Sequence, residues 1–216
     1  MLKITFKEIC ESATSPPDGI EWTLEKAAPI REDNLYGGVR IKLTAHLGNM
    51  RIPAQIDVGF GDTITPEATT ADWVMPLDFP TVPLLVYCPE TAIAEKLQAA
   101  IALETANSRM KDFYDIHWLS LHQTFTGNRL QPAVEATFER RGTHWPTETP
   151  IAFTHHFYGL TDKQTQWKAF LRKSRLEPLD FEATIQRISN FLLPVLLKEV
   201  SQSTWAPATG WISDRA

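Results

Sequence analysis

Between Tyr36 and Phe60 apolar and polar residues alternate about a Leu47-Gly48-Asn49-Met50 turn. Val39, Ile41, Leu43 and Ala45 fall on one face, and Arg40, Lys42, Thr44 and His46 on the other. Period-two alternation about a Gly/Asn turn predicts a β-hairpin, with strands over 36–47 and 51–60. Asp57 interrupts the apolar residues Ile56, Val58 and Phe60 of the second strand, just before a glycine-rich exit through Gly59, Gly61 and Asp62. A carboxylate in a strand tolerates burial only when a cation, a donor or water meets it. Asp57 therefore faces solvent or sits in a site.

Away from the hairpin the signals are uneven. Ile4, Phe6, Ile9 and Cys10 make a ragged helical pattern that ends in the loop Ser12-Ala13-Thr14-Ser15-Pro16-Pro17. Ile20, Trp22 and Leu24 predict a strand over 19–24, and Arg31–Asn34 reads as a charged loop. Pro66, Pro76, Pro80, Pro83 and Pro89 make 62–89 largely irregular, with one short strand over 82–87. At Pro89 the period changes: Ile93, Leu97, Ala100 and Ile101 fall at helical spacing, and Glu90 suits the first turn. Ser108 is the expected N-cap of a helix over 109–122, with further helices over 130–140, 161–173 and 181–200. The tail from Ser203 has no periodicity. Strands first and helices later argue an α+β architecture rather than alternating βαβ units. We read 1–90 as the sheet-bearing part and 91–216 as the helical part of one structural unit.

The net charge of −5 neither points to a nucleic-acid partner nor excludes one, because local patches matter more than the sum. Cys10 and Cys88 have no metal-ligand spacing, which places the chain in a reducing compartment. No apolar run is long enough to span a membrane; Phe191–Leu197 is short and holds Pro194. Lys3, Lys7, Glu8 and Glu11 break up any secretory pattern at the N-terminus. The expectation is a soluble cytoplasmic protein without a membrane partner.

Few side chains stand out chemically. Lys96 lies one position off the apolar stripe of its helix, which suits a surface lysine whose stem covers core. Asp112 and Asp115 are three apart on the next helix, and an i,i+4 pair between Lys111 and Asp115 makes them a self-neutralising surface. The same spacing also suits cation or base binding. His155-His156 reads as a loop of structural or surface histidines. Arg140-Arg141 and Arg172-Lys173-Arg175 suit RNA phosphates or solvent. The scattered tryptophans read as packing.

Several blocks taken together are more specific. Arg109-Met110-Lys111-Asp112-Phe113-Tyr114-Asp115, preceded by Ala94-Glu95-Lys96-Leu97 and by Gln55-Ile56-Asp57-Val58-Gly59-Phe60-Gly61-Asp62, resembles the AbiEii/AbiGii toxin family. Pro29-Ile30-Arg31-Glu32, Tyr36-Gly37-Gly38-Val39-Arg40 and Phe138-Glu139-Arg140-Arg141-Gly142-Thr143 extend the likeness from about Gly19 to Thr143. The resemblance implies a polymerase-β-like nucleotidyltransferase fold in a toxin–antitoxin or abortive-infection system, with transfer of a nucleotidyl group from a nucleoside triphosphate to an RNA (tRNA) or protein acceptor. By the same resemblance Asp57 is the third acidic position and a magnesium ligand, and Lys96 and Lys111 bind the nucleotide. Asp57, Asp112 and Asp115 are then the catalytic acids. Such a set is chemically coherent: magnesium takes hard oxygen ligands, lysine offsets phosphate charge, and a carboxylate accepts the proton of an attacking hydroxyl.

The sequence departs from the family at one point. A Gly-Gly/Ser turn and an Asp-x-Asp strand precede these blocks in the family, whereas Asp-x-Asp occurs nowhere in this chain and Gly37-Gly38 opens a hairpin strand instead. One carboxylate makes a poor two-metal site. The expectation is therefore that the start is placed late, that another chain completes the site, or that the protein is a catalytically incomplete remnant acting in binding or as a scaffold. An unpaired sheet edge would then favour a homodimer. The partners implied are a nucleoside triphosphate, an RNA acceptor, and a cognate antitoxin or its gene product.

Overall fold

The computed structural model describes residues 2–12, 17–30, 37–61 and 63–214. The loop residues 13–16, the charged loop at 31–34, Tyr36 and Asp62 lie outside the described residues. The chain divides into two compact units, Met1–Asp62 and Thr63–Ala216.

In the first unit the alternation becomes a sheet. Strands β2 (Gly38–Leu47) and β3 (Met50–Gly59) pair antiparallel. Gly48 turns between them with φ of 57°, a left-handed conformation that a two-residue hairpin turn demands. Ile41, Leu43 and Ala45 are buried while Lys42 between them is exposed, as a period of two requires. Strand β1 (Glu21–Pro29) pairs antiparallel with β2, with a register shift between Leu24 and Lys26, giving the order β1-β2-β3. The strand expected over 19–24 thus continues to Pro29. Its Pro29 end and the Pro53 of β3 sit in outer strands, where a missing N–H is tolerated. Helix α1 (Leu2–Glu11) lies against β1 and buries no residue, consistent with its ragged apolar pattern.

In the second unit β4 (Thr69–Trp73) pairs antiparallel with β5 (Val82–Val86). Strand β5 follows the sequence reading and β4 corrects it. The prolines that suggest irregular chain flank β4 at Pro66 and Pro76 rather than interrupting it. Helix α2 (Pro89–Leu103) starts on a proline, which fits the first helical turn. Helix α3 (Met110–His122) follows a 3₁₀ turn at Glu104–Ala106. Ser108 does not cap α3: Arg109 takes the cap position, and the buried Asn107 Oδ1 accepts the Arg109 N–H at 2.8 Å in a local turn.

Strand β6 (Phe125–Thr126) leads into α4 (Gly127–Arg140), which begins three residues ahead of the expected Leu130. The adjacent histidines are not in a loop but in a short helix, α5 (His155–Tyr158). Helix α6 (Thr161–Lys173) keeps its expected bounds. Helix α7 (Phe181–Leu196) is capped by the Asp180 carboxylate, which accepts the Ala183 N–H at 2.8 Å, and stops short of Val200. The tail is a second correction: β7 (Ser203–Ala206) and β8 (Gly210–Ser213) form a hairpin that joins β6 in the order β6-β7-β8. Strands of four residues are too short to show a period, but they hold Trp205 and Trp211 against Phe191 of α7.

The core of this unit is one cluster that draws Leu97 from α2, Phe113 and Ile116 from α3, Phe138 from α4, Trp167 from α6 and Phe181, Ile185 and Phe191 from α7. Antiparallel sheets followed by packed helices make the chain α+β. Among the described residues no helix is long and apolar enough to cross a membrane, and Cys10 and Cys88 are free thiols.

Candidate nucleotide-handling site

Ile93 and Leu97 bury one face of α2, and Met110, Phe113 and Ile116 bury one face of α3. Burying those two faces in one core brings the flanks of the two helices together, and Lys96 meets Asp112 and Asp115 there. The Lys96 ammonium lies 3.1 Å from Asp112 Oδ1 and 2.8 Å from Asp115 Oδ2. Lys111 reaches the same Asp115 oxygen at 2.6 Å, in the i,i+4 pair expected from sequence. Arg109 Nε approaches Asp112 Oδ2 to 2.6 Å, although its angle is not that of a hydrogen bond and this oxygen accepts none.

The arrangement is graded from inside to outside. The Asp112 side chain is 9% exposed, Lys96 20% and Asp115 23%, whereas Arg109 and Lys111 are open to solvent. Asp112 is thus not the solvated surface residue that spacing alone favours. Burial pulls the Lys96 ammonium toward its neutral form, but hydrogen bonds and charge from Asp115 and Asp112 outweigh this and leave its pKa above the ordinary lysine value. Three cations face two carboxylates, so the cluster carries a net positive charge. A groove of about 380 Å³, lined by Ala92, Lys96, Tyr114, Asp115, Trp118 and Leu119, opens beside it.

Asp57 belongs to the first unit, directly opposite Arg40 in the β2–β3 register. Arg40 donates from Nε to Oδ1 and from Nη2 to Oδ2, both at 2.8 Å, and Gln55 Nε2 lies 3.3 Å from each oxygen. Hydrogen bonding by Arg40 holds the Asp57 carboxyl below the usual aspartate value. Asp57 is thus partly exposed to solvent and held by a bidentate partner across the hairpin.

Magnesium takes several hard, mostly anionic oxygens. Both oxygens of Asp57 are engaged by Arg40, and Asp112 and Asp115 lie under a surplus of cations. Among the described residues no group of three His, Cys, Asp or Glu side chains is placed to hold a metal ion. The carboxylates as arranged here do not fit a resident magnesium ion.

The remaining candidates separate. His155 and His156 are exposed on α5. Arg141 turns inward, donating to Gln98 Oε1 at 3.0 Å and lying 3.6 Å from Glu95. Arg172 lines a cavity of about 550 Å³ with Lys168 and Asp180. The sequence reading gives no functional role to Arg40 and reads Trp118, with the other tryptophans, as packing, whereas Trp118 is 44% exposed and lies outside the core cluster. Their signals were the hairpin register, which sets Arg40 opposite Asp57, and the i+3 step from Asp115, which puts Trp118 on the groove.

The comparisons with curated proteins and with solved structures gave no match. The family described as Nucleotidyl transferase AbiEii toxin, type IV TA system, matches residues 5–187 of the 216, a span that includes the hairpin with Asp57 and the helices with Lys96, Lys111, Asp112 and Asp115. The chain belongs to the AbiEii nucleotidyl transferase toxin family of type IV toxin–antitoxin systems.

Proposed function

We propose that the α2–α3 cluster is the phosphate-handling centre of a nucleotidyl transfer from a nucleoside triphosphate to an RNA acceptor. The observation that carries this is the net positive charge held over two carboxylates at the mouth of a groove. Lys111 and Lys96 bind the triphosphate as point charges, exchanging carboxylate oxygens for phosphate oxygens. Asp112 lies beneath them and acts as a positioning residue that aims Lys96. Asp115 accepts the proton of the attacking hydroxyl. The hydroxyl oxygen bonds to the α-phosphorus, the bond from that phosphorus to the bridging oxygen breaks, and pyrophosphate leaves. The family assignment carries with it an antitoxin partner and supports a polymerase-β-like ancestry for the fold.

A second reading, a family member that binds without turnover, is favoured by one observation: the Asp57 carboxylate is already engaged on both oxygens by Arg40. Transfer of α-labelled nucleotide onto total tRNA in magnesium buffer separates the two. Label transferred by the wild-type chain and lost in Asp115→Asn supports the enzyme. Nucleotide binding with no transfer supports the second reading. Asp57→Ala in the same assay tests Asp57: undiminished transfer removes it from the catalytic acids.

A further inference from the structure

Most of the tryptophans in the second unit are anchored. Trp145, Trp167, Trp205 and Trp211 each donate Nε1–H to a backbone carbonyl, of Leu196, Leu179, Ser120 and Phe191 respectively, at 2.7–2.9 Å. Each also belongs to the core cluster or packs on it. Trp118 does neither. It is 44% exposed, and its indole N–H meets no acceptor among the described residues. What fixes it is His122, one turn on, whose ring stacks on the indole at 4.3 Å between centroids and 16° between planes. His122 is held in turn through Nδ1, 2.7 Å from the Trp118 carbonyl oxygen, which accepts.

Position gives this exposed ring its meaning. Trp118 lines the groove that holds Lys96 and Asp115, and it also lines a neighbouring groove of about 450 Å³ with His117, His122 and Arg175. The indole therefore stands between the two, one helical turn past Asp115, with one face covered by His122. Side chains three apart on a helix are about 5–6 Å apart at Cβ. A rigid aromatic face thus sits within the span of a single nucleotide from the Lys96 cation.

We propose that Trp118 is the platform on which the base of the nucleoside triphosphate stacks, backed by His122, while the phosphates reach Lys96. This rests on the reading of the cluster as a phosphate-handling centre. A flat, half-exposed indole beside a net positive cluster is complementary to a ligand that is aromatic at one end and anionic at the other. Stacking of this kind is tolerant of base identity, because every base has a π-face. The free indole N–H adds one donor at the edge of the platform.

The test is equilibrium binding of each of the four nucleoside triphosphates, of inorganic tripolyphosphate and of a short RNA, to the wild-type chain and to Trp118→Ala, Trp118→Phe and Lys96→Met. We expect Trp118→Ala to weaken nucleoside triphosphates by about 5- to 150-fold, the range of one lost base stack. Tripolyphosphate should bind it unchanged, and Trp118→Phe should recover most of the loss. Nucleoside triphosphates held equally well by Trp118→Ala overturn the platform. If Lys96→Met then loses both ligands, the phosphate reading survives alone. Loss of nucleotide in Trp118→Ala with no effect of Lys96→Met keeps the platform and removes Lys96. Loss confined to RNA overturns the assignment to the donor's base, and no triphosphate binding by the wild-type chain overturns both.

Discussion

Lys96 Nζ stands 3.1 Å from Asp112 Oδ1, a pairing that joins the flank of α2 to the start of α3. Asp112 is almost wholly withdrawn from solvent, so the pair is both a structural tie and the floor of the proposed site.

Removal of that floor should be measurable as stability. Asp112→Ala takes away a charge-assisted bond and leaves a mostly buried ammonium with Asp115 alone. We expect a loss of about 1–3 kcal/mol in unfolding free energy by denaturant titration. A change of only a few tenths would show that α2 and α3 are held by their apolar faces alone.

Asp57 and Arg40 should respond to pH. Bonds from Arg40 hold the Asp57 carboxyl below its unfolded value. Its contribution to stability is therefore present above the unfolded pKa and is lost as pH falls through the folded one. We expect Arg40→Ala to move the Asp57 pKa up toward that of a free aspartate, followed by carboxyl NMR. A titration that does not move would mean the pair does not form in solution.

His117 gives a second pH dependence in a different range. Burial, then the charges of Arg187 and His122, push its imidazole below the ordinary value of 6.5. A histidine with a depressed pKa contributes stability above its unfolded value, and that stability is lost as pH falls through the folded value. We expect the melting temperature to decline as pH is lowered through and below 6.5, and His117→Gln to flatten that decline. An identical slope in the variant would assign the decline to other groups.

How far the sequence discloses this molecule depends on the range of the interaction. The β2–β3 hairpin is local: alternation and a Gly-Asn turn fix its register, and with it the face shared by Arg40 and Asp57. Helices α6 and α7 are legible for the same reason. The pair Lys96–Asp112 is not, because residues 16 apart meet only once two amphipathic helices bury their apolar faces in one core. Spacing alone favours a solvated surface there, and only the family resemblance of several blocks singles these residues out as a site. Strand β4 is hidden among prolines that turn out to flank it. The β7–β8 hairpin is too short for a period, although Trp205, Gly210 and Trp211 mark its strands and turn.

The join between that hairpin and α4 supplies a packing test. A Cβ built on Gly127 would lie 1.6 Å from the Val200 carbonyl oxygen, so no side chain fits without moving backbone. We expect Gly127→Ala to cost about 3 kcal/mol, the upper end for overpacking, by denaturant titration. A neutral result would mean that the two segments are not in close approach.

The phosphate-handling role proposed for Lys96 is tested most directly by single-turnover transfer of labelled nucleotide to RNA, comparing the wild-type chain with Lys96→Met after circular dichroism shows both folded. We expect Lys96→Met to slow transfer by at least about 100-fold, or about 2.7 kcal/mol, as for a lost electrostatic contact to developing charge. Equal rates in the two proteins would contradict that role.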